Sequence, residues 1–178
     1  MSSTILRNLV LCTAALNLTA CGLQQNIVDS TASTFNAMFY KQIKILHLDF
    51  SARESLNSDI REHHPLSEPV MVRVYQLKAR KTFDSTVYQQ LIHEAAEVLH
   101  PDLLAERDVI VTPGGDVALN MPMESETRFV AIVGLFQHPD MARNSWRLVL
   151  ERNDLDPDTP RVIELDSRHL LLRAEAKS

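Results

Sequence analysis

Glycine is scarce in this chain, with four in 178 residues, and that scarcity already argues against a phosphate-cradling loop. The two that fall together, in Pro113-Gly114-Gly115-Asp116, are followed by no Gly-Lys-Ser/Thr and open no helical pattern. A hairpin turn is the plain reading. Cysteine is scarcer still, with only Cys12 and Cys21, and no Gly-x-Ser-x-Gly elbow is present, so an activated nucleophile has no obvious source. No apolar run approaches the roughly 20 residues needed to span a bilayer. Blocks of like charge, internal repeats and low-complexity tracts are also missing. The net charge of −5, with Lys and Arg dispersed, speaks against nucleic acid as a partner.

What is present begins at the N-terminus. Met1 to Arg7 is short and polar with one positive charge, and LVLCTAAL (9–16) is an apolar block. That order describes a secretory signal peptide; an amphipathic or buried N-terminal helix is the competing reading. Leu18-Thr19-Ala20-Cys21 then resembles a bacterial lipobox, an aliphatic residue and two small ones before a cysteine. The resemblance implies cleavage before Cys21 and acylation of its thiol and new amino group. Residues 1–20 would be the signal peptide, 21–40 the lipidated N-terminus and tether, and 41–178 a β-sandwich domain. Cys12 would leave with the signal, so the mature chain would hold neither a free thiol nor a disulfide. Two or more acyl chains, at about 0.8 kcal/mol per buried methylene, anchor a protein without spanning the membrane. Gly22, where retained lipoproteins commonly carry Asp, implies the outer membrane, facing the periplasm.

Beyond the tether the chain alternates in period two. In KILHLDF, Leu46, Leu48 and Phe50 share one face and Ile45, His47 and Asp49 the other. PVMVRVYQL (69–77), VIVT (109–112), VALNM (117–121), RFVAIVGLF (128–136), WRLVL (146–150), RVIEL (161–165) and HLLLR (169–173) follow. Short β-branched and aromatic runs bounded by Pro, Gly, Asn and Asp read as strands, and about eight of them imply a mainly β sandwich. RFVAIVGLF, apolar on both faces, belongs at the centre. STVYQQLIHEAAEVLH (85–100) instead puts Leu91, Ile92, Ala95, Val98 and Leu99 at helical spacing, with Asp84 or Ser85 as cap and Pro101 as stop. PDLLAERD (101–108) extends this insertion as a short second helix. Residues 51–69 form a connection long enough to be either functional or disordered.

Other constellations are weak. His63 and His64, with Glu62 and Glu68, lack a third ligand at metal spacing, and adjacent histidines diverge. Asp154 to Asp158 opens like a calcium loop, but the sixth and twelfth positions are Thr159 and Leu165 rather than Gly and Glu. His93, Glu94, Glu97 and His100 could share a helical face, the ordinary pattern of surface stabilisation. Trp146 beside Leu148 and Leu150 reads as core.

The stretches together resemble the TssJ (SciN-like) outer-membrane lipoproteins of bacterial type VI secretion systems. The resemblance rests on the lipobox, Leu56-Asn57-Ser58-Asp59, PVMVRVYQLK (69–78), Phe83, the helix at 85–99, Val111-Thr112-Pro113-Gly114, Phe136-Gln137-His138-Pro139-Asp140 and Trp146-Arg147. It covers most of residues 43–173. It implies a transthyretin-like two-sheet β-sandwich with a helical insertion at about residues 84–107 and a long loop between the first two strands. It implies no enzyme, no metal and no cofactor beyond the lipid on Cys21. Its implied role is to anchor the secretion apparatus by binding the periplasmic C-terminal region of the inner-membrane TssM protein. The partner surface would include the 51–69 loop, through Leu56, Asn57, Asp59, Ile60, Arg61, His63, His64 and Leu66. Asn57 and Asp59 fit the family's Leu-Asn-x-Asp pattern; Arg61 to Pro69 departs from its small-residue Pro-Ser-Pro run. A periplasm-facing lipoprotein binding a small ligand is the alternative, and would show a buried pocket lined by convergent polar groups.

Overall fold

Leu46, Leu48 and Phe50, predicted to share one face, are all buried, while Ile45 on the opposite face is 45% exposed. Their strand, β1 (Ile45–Ala52), is one of eight in the computed structural model, which describes residues 43–58 and 66–174. Cys21 and the expected signal and tether lie outside those residues, as do Asp59, Ile60, Arg61, His63 and His64. The other strands are β2 (Val70–Leu77), β3 (Leu103–Val111), β4 (Asp116–Pro122), β5 (Phe129–Gly134), β6 (Arg147–Glu151), β7 (Arg161–Leu165) and β8 (Leu170–Leu172).

They form two four-stranded sheets, ordered β4-β1-β7-β8 and β3-β2-β5-β6, packed as a sandwich. Neighbours are antiparallel except β1 and β7, which run parallel. Between the layers the first sheet buries Leu46, Leu48, Phe50, Ile163 and Leu165, and the second Val70, Val72, Val74, Val130 and Ile132. Each such side chain contributes about 1.5–3 kcal/mol on burial. RFVAIVGLF supplies β5, inside its sheet between β2 and β6, as its two apolar faces require.

The second face of β5 is apolar because helices cover it. Tyr75, Ala131 and Val133 are buried there, with Phe83, Leu91, Ala95 and Leu99 coming down from the insertion. That insertion differs from the expected helix over 84–107. It consists of three short helices, α1 (Lys81–Ser85), α2 (Tyr88–His93) and α3 (Ala95–Leu99). Neither Asp84 nor Ser85 caps a helix start. Asp84 pairs with Arg80 at 2.7 Å, and the hydroxyls of Ser85 and Thr86 both donate back to the Thr82 carbonyl, at 3.0 and 2.7 Å. Such back-bonding competes with the helical ladder, and Thr86 is extended.

The second helix expected in PDLLAERD is also a strand. Leu103–Val111 pairs with β2 from Leu77↔Leu103 to Val70↔Val111. Ala, Glu and Arg favour helix locally, but the free edge of β2 offers a full ladder, and tertiary pairing overrides propensity. The turn at Pro113-Gly114-Gly115 is no hairpin, because β3 and β4 belong to different sheets. Gly115 N–H donates to the Thr112 carbonyl at 2.9 Å and Gly114 has φ +68°, a Pro-Gly turn that carries the chain across the sandwich edge.

Candidate site: the loop end of the sandwich

β1 enters the sandwich at one end and delivers the chain to the long loop at the other. Its eight residues, at about 3.3 Å each, put roughly 25 Å between the two ends of the strand. At the Ile43 end, Arg152 donates to the carbonyls of Glu124, Thr127 and Ile43. At the far end four connections meet: 53–69, 112–115, 135–146 and 166–169.

The feet of the 53–69 loop are fixed. Leu56 is fully buried in the core cluster. It pins the loop and offers a partner no surface, which revises its predicted place among the contact residues. Asn57 follows with φ 53° and is 7% exposed. Asn tolerates that left-handed backbone, and its Oδ1 accepts the Gln137 backbone N–H at 2.9 Å. It too fastens the loop from within. Ser58 Oγ donates to the Ser55 carbonyl at 2.9 Å, and Glu68 N–H to the Leu56 carbonyl at 3.2 Å. The Gln137 amide closes the ring by donating to the Glu68 carboxylate. Of the expected contact residues that are described, Leu66 is the exposed one, at 74%.

Behind Gln137 stands a buried support. The Phe136 ring folds directly back over Gly134, leaving no room there for a Cβ. Its carbonyl accepts the Tyr88 hydroxyl at 2.6 Å, and Tyr88 meets Trp146 edge-on, centroids 4.9 Å apart. Burial pushes the Tyr88 hydroxyl up to about 12. Trp146 is buried, as predicted. On the other flank Asp166 accepts from Ser55 Oγ at 3.3 Å and lies 3.8 Å from the Arg53 guanidinium. Asp140 N–H donates to the Arg168 carbonyl at 3.2 Å.

The remaining candidates are dispersed. His93, Glu94, Glu97 and His100 stand exposed on the insertion. No group of three or more His, Cys, Asp or Glu side chains that could hold a metal occurs among the described residues. Asp156 Oδ1 accepts the backbone N–H groups of Asp158 and Thr159, at 2.8 and 3.1 Å, an Asx turn between strands. A groove of about 370 Å³ on the outer face of the first sheet, with Asp49, Ser51, Asp116 and Arg173 in its walls, is open to solvent. No helix among the described residues is long and apolar enough to cross a membrane. Sequence reading gave Gln137 and Arg147 no role, although both lie in stretches that carried the resemblance.

The architecture is a mainly β, two-sheet sandwich whose β1–β2 loop is fixed at both feet. Residues 44–169 match the family model described as "Type VI secretion lipoprotein, VasD, EvfM, TssJ", and the chain belongs to that family. A chain of the structure named "T6SS protein TssM C-terminal domain (869-1107) from EAEC" is 41% identical, with 75% of this chain and 100% of that one covered and a TM-score of 0.67. A chain of "Type VI membrane complex" is 43% identical over 75% and 100%, TM-score 0.69. Lip of Serratia marcescens, a membrane-bound component of the type VI secretion system, shares the fold at 21% identity over 74% and 98%, TM-score 0.64. Comparison with curated proteins gave no match.

Proposed function

We propose that this lipoprotein is a non-enzymatic adaptor of the type VI secretion membrane complex. In this reading Cys21 carries the lipid, residues 21–40 tether the domain, and the outer membrane holds it facing the periplasm. The domain binds the periplasmic C-terminal region of TssM through the loop between β1 and β2. Leu66, the charged residues Asp59 and Arg61, and the histidines His63 and His64 supply contacts around Ile60, while Leu56 and Asn57 hold the loop in place. The observation that carries the reading is that chains more than 40% identical to this one occur in structures named for the TssM C-terminal domain and for the type VI membrane complex. A loop end lying one strand length away from the tether end agrees with it, because a partner would then dock clear of the membrane.

Purified domain starting at residue 22 should capture the periplasmic region of TssM. Replacing residues 59–66 with a Gly/Ser linker should abolish capture without changing the melting temperature, since Leu56, Asn57 and Glu68 remain. Undiminished capture by that variant would move the interface elsewhere.

A further inference from the structure

We propose that the β5–β6 loop (135–146) and the β7–β8 turn (166–169) form a docking face of their own, carrying Met141, Arg143 and Arg168. It takes an acidic surface of TssM, which rests on the reading that the chain binds that partner. β5 and β6 are adjacent antiparallel strands, which a turn of about two to five residues can join. The connection here is far longer than the sheet requires, and connections kept long in a compact domain are commonly binding loops.

It is also not slack. Phe136 is fixed by packing over Gly134 and by the Tyr88 hydroxyl on its carbonyl. Further on, Asp140 Oδ1 accepts the Arg143 N–H at 3.2 Å, and the Asn144 carbonyl accepts the Arg147 N–H at 3.4 Å. The β7–β8 turn is closed by Asp166 N–H donating to the His169 carbonyl at 3.0 Å. Two bonds join loop to turn: Asp140 N–H to the Arg168 carbonyl at 3.2 Å, and Leu170 N–H to the Ser145 carbonyl at 2.7 Å.

The two signs of charge are sorted by depth on this face. Met141 is 53% exposed, the Arg143 side chain 83%, and Arg168 is exposed with no ion-pair partner among the described residues. The carboxylates are withdrawn instead. Asp140 is spent on the Arg143 N–H, and Asp166 on the Ser167 N–H at 2.7 Å and the Ser55 hydroxyl at 3.3 Å. The exposed carboxylates of this end, Glu54 and Glu68, belong to the feet of the β1–β2 loop. An adaptable thioether with guanidinium groups beside it has the make-up of an apolar interface centre and its polar rim. Cations turned outward on a chain of net charge −5 select a partner surface of opposite sign. Neither piece includes any residue of the β1–β2 loop, so mutation separates the two contacts.

The test uses the full-length lipoprotein in detergent and the purified periplasmic region of TssM, with binding at low and high salt and melting temperature measured for each variant. Met141→Asp should weaken binding about tenfold at unchanged melting temperature. Arg168→Glu breaks no side-chain bond among the described residues, so it carries the test even if Met141→Asp lowers the melting temperature. It should weaken binding about fivefold at ~50 mM salt and less than about twofold at ~500 mM, because screening removes a charge contact at the rim. A loss that salt leaves unchanged overturns the acidic partner surface. Wild-type binding by both variants, while the 59–66 replacement abolishes capture, overturns this face and leaves TssM as partner. If the wild-type protein captures no TssM, the partner reading falls and this face falls with it.

Discussion

Arg147 grips Phe83 in two ways: its guanidinium donates to the Phe83 carbonyl at 3.0 Å and lies 5.5 Å from the centre of the same residue's ring. The grip extends to the carbonyls of Thr86 and Asp84, both at 3.1 Å. They cluster at the C-terminal end of α1, where the Phe83 carbonyl also accepts the Thr86 N–H at 3.2 Å. One side chain on β6 thus ties the insertion to the sheet. Arg147→Ala should cost about 1–3 kcal/mol, measured by urea unfolding, since it deprives several partly buried carbonyls of a charged donor. Arg147→Lys should recover less than half, because an ammonium cannot reproduce the planar fork. Hydrogen exchange should rise first over residues 81–93.

Leu56 and Leu66 are two leucines of one loop with opposite fates. Leu56→Ala should destabilise the domain by about 2–5 kcal/mol, the range for truncating a fully buried leucine. Leu66→Ser should leave stability within about 0.5 kcal/mol, as surface changes do, while weakening capture of TssM. Parallel unfolding and binding measurements separate the two. Equal effects on stability would contradict the assignment of one to the core and the other to the surface.

Tyr75 and Tyr88 are both pushed up to about 12 by burial, against about 10 in an unfolded chain. An unfolded tyrosine releases its proton first, so the unfolded state gains relative to the native one once pH passes that point. The stabilisation is fully present below about pH 10 and is lost as pH rises toward about 12. Urea midpoints should therefore fall across that window, and Tyr88→Phe should flatten the fall, at the cost of the bond to Phe136.

Cys21→Ser should yield protein that no longer fractionates with the outer membrane, and secretion should fail with it. Normal secretion by that variant would make the anchor dispensable and the adaptor reading wrong.

Most strands were legible because they show a period of two, as Leu46, Leu48 and Phe50 do, or, like RFVAIVGLF, a short β-branched run apolar on both faces. What misled were residues whose state is decided at a distance. Ala105, Glu106 and Arg107 carry helical propensity, yet the β2 edge takes them as strand. Pro113-Gly114 has the residues of a turn, but nothing local says that β3 and β4 part into different sheets. Leu56 is a single apolar residue amid loop polarity, with no period to mark it as core. Gln137 is 80 residues from Asn57, so their bond has no trace in the local pattern of either. The expected lipidation site at Cys21, by contrast, is read from a short motif that must supply its chemistry in full.

β1 lies between β4 and β7, and the path from Ile43 to the β1–β2 loop runs along its axis. A pull applied between those two points is directed along the strand, across its hydrogen bonds to both neighbours. Those ladders would have to slip as a set instead of opening one rung at a time. The strand that separates Ile43 from the foot of the β1–β2 loop thus gives the domain the geometry of a tie rod, and under the proposed adaptor role two linked membranes would draw it in its most resistant direction.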